Sequence, residues 1–273
     1  MSRPAPANRL RRSREDRDAE APTFFLLSAP AAVGETVELS AEEARHALRA
    51  LRLPPGVIVS ATDGLGGRYR LRLVPADRRC LAEVLEKAVA PPPRPRLEVG
   101  VGAGRRERFL WCVEKLTELE VARVSPLLTA TVQRRSALAL EGGARYAARV
   151  RARAVSALKQ SRGLHLPAVS DPEDVRAWAR RPFEGRSLLL AFPAPGVRAL
   201  AALVAERPDE AYRLAVGPEG GFLPDEEAAL ADAGFVPAHL GERRLRFETA
   251  AVVATCHVRA ALAVAAGEAP CSS

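Results

Sequence analysis

The sequence predicts an α/β protein with a parallel sheet, preceded by a small unit built mostly of strands. Three observations predict it. From residue 97 to 266 short apolar runs alternate with helical patterns, the signature of strand–helix–strand units. From 23 to 89 strand patterns follow one another with turn signals between them and only one short helix. Between these regions, Ala90-Pro-Pro-Pro-Arg-Pro-Arg96 has three consecutive prolines that favour a stiff, extended connection. The expected organisation is a basic disordered tail over 1–22, a β-rich domain over 23–89, a linker over 90–96 and an α/β domain over 97–273.

At 273 residues with 48% hydrophobic content, the chain is long enough for two ordinary domains with cores of their own. No apolar run is read as approaching the roughly 20 residues needed to cross a bilayer, so no membrane association is expected. Arg3, Arg9, Arg11, Arg12 and Arg14 open the chain with no apolar stretch behind them, unlike a signal peptide, and the expected location is the cytoplasm. A net charge of +8 favours a polyanionic partner without naming one. Cys80, Cys112, Cys256 and Cys271 lie far apart, with no C-x-x-C and no histidine at ligand spacing, so neither disulfides nor a metal is expected.

Order begins at Thr23 to Leu27, and Val37 to Leu39 alternates as a strand. Ser40 with Glu43 three residues on reads as a capping box for a helix through His46 to about Leu51, which Pro54, Pro55 and Gly56 end. Val57 to Val59, Tyr69 to Val74 and Leu81 to Leu85 read as further strands, with turns at Asp63-Gly64 and Gly66-Gly67, giving a small, mostly antiparallel, barrel-like unit.

Beyond the linker, Leu97 to Gly104 reads as a strand entering a Gly-rich turn. It imitates a dinucleotide-type glycine loop, but that loop needs an acidic residue at the end of the next strand, and Val124 to Leu128 supplies none. Arg106 to Leu119 is a helix with Phe109, Val113 and Leu116 on one face; Lys115 and Glu118 on it have the spacing of an ordinary ion pair. Ala144 to Ser161 is a strongly basic helix carrying Arg145, Arg149, Arg151, Arg153 and Lys159, and Ser187 to Phe192 is a buried strand. Leu214 to Val216 is a strand entering a loop with Gly217, Gly220 and Gly221, conformations that most side chains could not occupy. Pro224, Asp225, Glu226 and Glu227 then suit the first turn of a helix. The loop lacks the Lys-Ser/Thr ending of a phosphate loop, and Glu219 and Asp225 would repel phosphate, so a non-phosphorylated ligand fits better. A strand from Phe235 to His239 leads to a loop bearing Arg243, Arg244 and Arg246, and an Ala/Val-rich helix runs from about Glu248 to Ala266.

Taken together, Gly217-Pro-Glu-Gly-Gly221 followed by Leu240-Gly-Glu-Arg-Arg-Leu-Arg-Phe-Glu-Thr-Ala250 resembles the RsmE-type 16S ribosomal RNA uridine-N3 methyltransferases of the SPOUT class. The resemblance extends to Phe24-Phe25, to the run from Leu39 through His46 to Arg52 and to Asp63-Gly64, which follow that family's PUA-like RNA-binding domain. It implies a knotted α/β domain, preceded by a PUA-like β-barrel, that ties its carboxyl-terminal chain in a trefoil around S-adenosyl-L-methionine. It also implies a homodimer whose subunits complete each other's sites and act on 16S ribosomal RNA of the small ribosomal subunit.

By the same resemblance, cofactor contacts are expected from Leu190, Phe192 and Pro193 after one strand and from Gly217, Pro218, Glu219, Gly220 and Gly221 after a second. Leu240, Gly241, Leu245 and Thr249 complete them. His46, Arg49, Arg52, Lys115 and Gln160 are expected on the RNA side. Uracil N3 must lose its proton to become a nucleophile, and the resulting charge spreads onto two ring carbonyls, for which a guanidinium with several donors is suited. Arg246 is the candidate for that role, with Glu248 or Glu219 as the carboxylate that takes the proton; no metal is needed. The chain departs from the family at Thr129-Ala130-Thr131, at Lys159-Gln160-Ser161-Arg162-Gly163, at Glu120 where glycine is usual, and at Phe247 where threonine is usual. The alternatives are a non-catalytic or divergent RNA-binding paralogue, or a Rossmann-type methyltransferase or nucleotide enzyme reading through Gly100 to Gly104.

Overall fold

A computed structural model of the protein describes residues 20–74, 79–102, 104–133 and 144–265. Most of the expected tail, Ala103 and Cys271 lie outside the described residues. Two compact units divide between Ala90 and Pro91.

In the first unit, five strands lie in the order β1-β3-β4-β5-β2: β1 (Glu20–Leu26), β2 (Thr36–Glu38), β3 (Ile58–Thr62), β4 (Gly67–Val74) and β5 (Leu81–Val89). Strand β1 therefore begins inside the stretch expected as tail, and it runs parallel to β3; the remaining pairings are antiparallel. Alternation drives the sheet. On β4, Tyr69, Leu71 and Leu73 are buried, while the intervening Arg70 and Arg72 pair across the ladder with Glu86 (2.5 Å) and Glu83 (3.1 Å). Asp63 closes the β3–β4 turn by accepting hydrogen bonds from Leu65 N, Gly67 N and the Tyr69 hydroxyl at 2.8, 2.9 and 2.7 Å. Burial pushes its carboxyl upward, but these donors outweigh burial and hold it below the usual range.

Ser40 caps helix α1 (Ala41–Arg45), its hydroxyl accepting from Glu43 N at 3.2 Å. The buried Glu43 carboxylate also accepts from Leu26 N at 3.4 Å. The chain continues as a π-helical turn over His46–Ala50 and stops at Arg52, whose φ is +52°.

In the second unit every strand pairing is parallel. The strands are β6 (Leu97–Gly102), β7 (Arg123–Leu128), β8 (Ala168–Val169), β9 (Glu173–Asp174), β10 (Arg186–Leu190), β11 (Arg198–Ala199), β12 (Tyr212–Val216) and β13 (Val236–His239). Their order is β11-β13-β10-β12-β6-β7-β8, with β9 also on β7. Helices α2 (Arg106–Glu118), α3 (Ala130–Gln133), α4 (Ala144–Ser161), α5 (Val175–Ala179), α6 (Leu200–Ala205), α7 (Pro224–Asp232) and α8 (Phe247–Ala265) connect and follow them. Successive side chains of β12 feed opposite faces: Leu214 and Val216 join the cluster of α2, α4, α6 and α8, and Ala215 joins that of α5 and α7. Because all strands point one way, the loops after β10, β12 and β13 emerge at one edge of the sheet.

The glycines of β6 have a packing reason. A Cβ at Gly100 would lie 2.5 Å from the Trp178 ring, and one at Gly102 would lie 2.4 Å from the backbone nitrogen of Pro218. These close approaches are between parts of the protein, which accounts for the glycine-loop imitation without a phosphate ligand. Strand β10 ends at Leu190, two residues short of the sequence expectation, so Phe192 belongs to a loop. Strand β12 starts at Tyr212, two residues early, because the buried Arg213 is part of it.

Helix α8 corrects another expectation. By length and mean hydropathy its 19 residues are apolar enough to cross a membrane. Its Ala251, Ala254 and Val258 are nevertheless fully buried in the α/β core. Its Arg259 donates to the carbonyls of Leu119 (3.1 Å), Pro95 (2.9 Å) and Glu120. A guanidinium satisfied by three backbone carbonyls marks a core helix of a packed domain. It also ties the end of the expected linker to the second unit.

Glu120, on the turn after α2, adopts φ +58°. That conformation costs a side chain about 1–2 kcal/mol, part of which glycine would return through its greater chain entropy. Glu120→Gly is therefore expected to stabilise the protein by about 0.5–1 kcal/mol in urea unfolding. Equal or lower stability would show that this backbone is unstrained.

Candidate active site

The loops after β10, β12 and β13 enclose a cleft of about 410 Å³. Leu190 and Phe192 come to it from the first loop, Gly217 through Phe222 from the second, and Leu240, Gly241 and Arg243 through Phe247 from the third. Its wall mixes apolar side chains with bare glycine backbone, and the carboxylates of Glu219 and Glu227 border it. A wider cleft of about 570 Å³ opens near the starts of β10 and β12, but none of the motif residues reaches it. The first cleft is the candidate because three separate sequence motifs meet there.

Within the β12 loop, the left-handed residue is Gly221, with φ +73°, and not Gly220. A Cβ at Gly220 would meet only the Thr131 side chain at 3.7 Å. Gly217 is confined by close approach, its Cβ position lying 3.2 Å from Gly221 Cα. The sequence expectation that a side chain at Gly220 is excluded by backbone strain is corrected accordingly. Gly221→Val should cost about 1–2 kcal/mol in backbone conformation alone, enough to weaken ligand binding about tenfold. Gly220→Val should be the milder change, and calorimetric titration of both variants checks the order.

Glu226 anchors the far end of the same loop. Fully buried, it accepts from Leu223 N and from Ala130 N, both at 2.8 Å. One carboxylate thus joins the start of α7 to the segment following β7. Thr131 lies against Gly220 there, so the segment Thr129-Ala130-Thr131 borders the glycine loop.

Arg246 lines the cleft, is exposed, and makes no ion pair among the described residues. Its neighbour Arg244 stacks on the half-exposed Phe192 ring, 4.7 Å from the centroid. Glu219 also lines the cleft but is bound by Arg108, Nη1 to Oε1 at 2.5 Å. Glu248 does not line it: the residue is 8% exposed, and its Oε1 lies 3.9 Å from Arg108 Nε. Pro193 and Thr249 are likewise absent from the lining. Phe247, buried at the base of α8, lines the cleft and lies across from Gly104. Sequence reasoning missed Arg108, which is 111 residues from Glu219 and belongs to no motif.

The RNA methyltransferase domain family matches residues 91–259. Ribosomal RNA small subunit methyltransferase E of Mycobacterium bovis is 33% identical over 227 residues, 81% of this chain and 85% of its own. The chain belongs to the ribosomal RNA small subunit methyltransferase E family. The Neisseria gonorrhoeae methyltransferase E, solved with S-adenosyl methionine bound, is 27% identical, covers 87% of this chain and 97% of its own, and superposes with a TM-score of 0.76. A Legionella pneumophila methyltransferase at 24% identity and TM-score 0.77 shares the fold.

For a methyltransferase E chain, the residues expected on the RNA side divide between the two units, three in the first and two in the second. His46 packs its ring against Phe25, 5.9 Å between centroids, and Arg49 and Arg52 beside it are exposed. Lys115 is engaged by Glu118 at 2.8 Å and Glu114 at 2.9 Å, which hold its ammonium above the usual range, so the ion-pair reading accounts for it. Gln160 is exposed on α4, whose Tyr146, Val150, Ala154 and Leu158 face the core while Arg149, Arg151 and Arg153 face outward; the side chain of Arg145 lies outside the described residues.

Proposed function

We propose that this chain methylates N3 of a uridine in 16S ribosomal RNA of the small ribosomal subunit, using S-adenosyl-L-methionine. The observation that carries the reading is the convergence of three β-strand loops on one cleft with Arg246, which makes no ion pair among the described residues, in its wall. The cleft suits the cofactor: apolar side chains from Leu190, Leu240 and Leu245 offer a surface for a flat base, and bare backbone at Gly217 to Gly221 offers donors and acceptors. When bound, the cofactor supplies an electrophilic methyl group. The chain's own task is positional and electrostatic: the loops hold the target in line, and Arg246 favours the imide anion by donating to its oxygens. Of the two candidate carboxylates, Glu219 is the one at the cleft and takes the proton in this scheme.

The first unit serves in this reading as the PUA-like RNA-binding domain, with Arg49 and Arg52 toward phosphate. The carboxyl-terminal loops form the trefoil knot, and the protein acts in the cytoplasm as a homodimer. An apolar line along α8, from Val252 through Cys256 to the 78% exposed Val264, supports the pairing of two copies.

Incubating purified protein with small-subunit ribosomal RNA and the cofactor, then digesting to nucleosides for mass spectrometry, should yield 3-methyluridine. Methylation elsewhere, or none with a cofactor that binds, would sink the reading. Light scattering should give a dimer at micromolar concentration, and a fully active monomer would refute the pairing.

A further inference from the structure

We infer that Arg108 is a positioning residue of the site, a single guanidinium on α2 that clamps the β12 loop through Glu219 and the start of α8 through Glu248. The inference rests on reading the cleft as the cofactor site. Glu219 is 44% exposed at its side chain, sits between Pro218 and Gly220, and has Arg108 as its side-chain partner among the described residues. Arg108 supplies the fixing contact at 2.5 Å, and its own side chain is only 28% exposed. On its other side lies Glu248, 3.9 Å from Nε, in the first turn of α8 and two residues after Arg246. The Oε2 of Glu248 is buried without a hydrogen-bond partner, so its carboxylate has Arg108 as its compensating charge among the described residues. Cys112, one turn along α2 from Arg108, is buried; burial and then the Glu248 charge push its thiol up to about 12, consistent with a carboxylate facing α2. Glu248 therefore acts through Arg108, and the two loops that carry Glu219 and Arg246 share one anchor. A planar fork presents its donors to the two carboxylates in fixed directions, whereas an ammonium is a point charge whose donors rotate.

The test uses the full chain in wild-type, Arg108→Met, Arg108→Lys, Glu219→Gln and Arg108→Met/Glu219→Gln forms. Hydrogen exchange without ligand reads the clamp directly: amides of residues 219–222 should exchange about tenfold faster in Arg108→Met, with Arg108→Lys intermediate. Calorimetric titration with S-adenosyl-L-methionine should show each single variant weakened about tenfold and the double variant no weaker than either single. Unchanged exchange in Arg108→Met, or affinity losses that multiply in the double variant, would overturn the inference. Loss of protection together with wild-type protein that binds no cofactor would leave the clamp standing and overturn the reading of the cleft.

Discussion

Arg246→Ala lowers single-turnover methyl transfer by roughly 10²–10³-fold, the effect of removing one preorganised donor to developing negative charge. Cofactor affinity and melting temperature stay close to wild type. This separation follows from where Arg246 stands: exposed on the cleft wall, with no ion pair among the described residues, its side chain holds nothing else in place. Glu248, the nearby acid that could have tied it down, faces Arg108 instead. The backbone carbonyl of Arg246 does accept from Ala250 N at 2.8 Å, but alanine keeps that bond. Melting temperature, cofactor titration and single-turnover rate should be measured on one preparation. Unchanged turnover, or a joint collapse of all three, would remove Arg246 from the chemistry.

Gly102→Val should abolish measurable cofactor binding and destabilise the second unit together. A Cβ at Gly102 would fall 2.4 Å from Pro218 N and 2.5 Å from its Cδ, and neither atom belongs to a flexible side chain that could swing away. Strand β6 is held on both sides by β12 and β7, so the glycine loop is what must move. Overpacking of this kind costs about 1–3 kcal/mol, or roughly 2–12 °C in Tm for a unit of this size. Gly104→Ala is the matched control: its Cβ meets the Phe247 ring at an ordinary 3.6 Å, and both affinity and Tm should be retained. Normal affinity in Gly102→Val would mean that the Pro218 loop is not part of the ligand site.

Several elements were legible because their cause is local. The strand-to-helix passage from Leu214 to Glu227 shows itself through an apolar run, glycines, Pro224 and acids in order, and the structure has β12, the loop and α7 there. Helix α4, read from sequence as a strongly basic helix over Ala144 to Ser161, has those bounds in the structure, where Tyr146, Val150, Ala154 and Leu158 share a buried face. Where the cause lies across the sheet, local reading fails. Arg213 breaks the apolar pattern of β12, yet it is 4% exposed because the rings of Phe235, Phe183 and Trp178 lie 4.9–5.2 Å from its guanidinium. The carbonyls of Arg181, Ala179 and Trp178 also accept its protons.

By itself the sequence determined the α/β class, the longer strands and helices and the loops that carry the chemistry, since periodicity, glycine and capping residues act over a few neighbours. Tertiary structure decided which residues those loops meet. The left-handed position is Gly221 and not Gly220; Glu248 is turned to Arg108 and not to the cleft; and Arg108 reaches Glu219 from a helix 111 residues away. Parallel strands make this possible: chain ends far apart in sequence emerge side by side at one edge, and contacts made there are set by strand order, which no local pattern encodes.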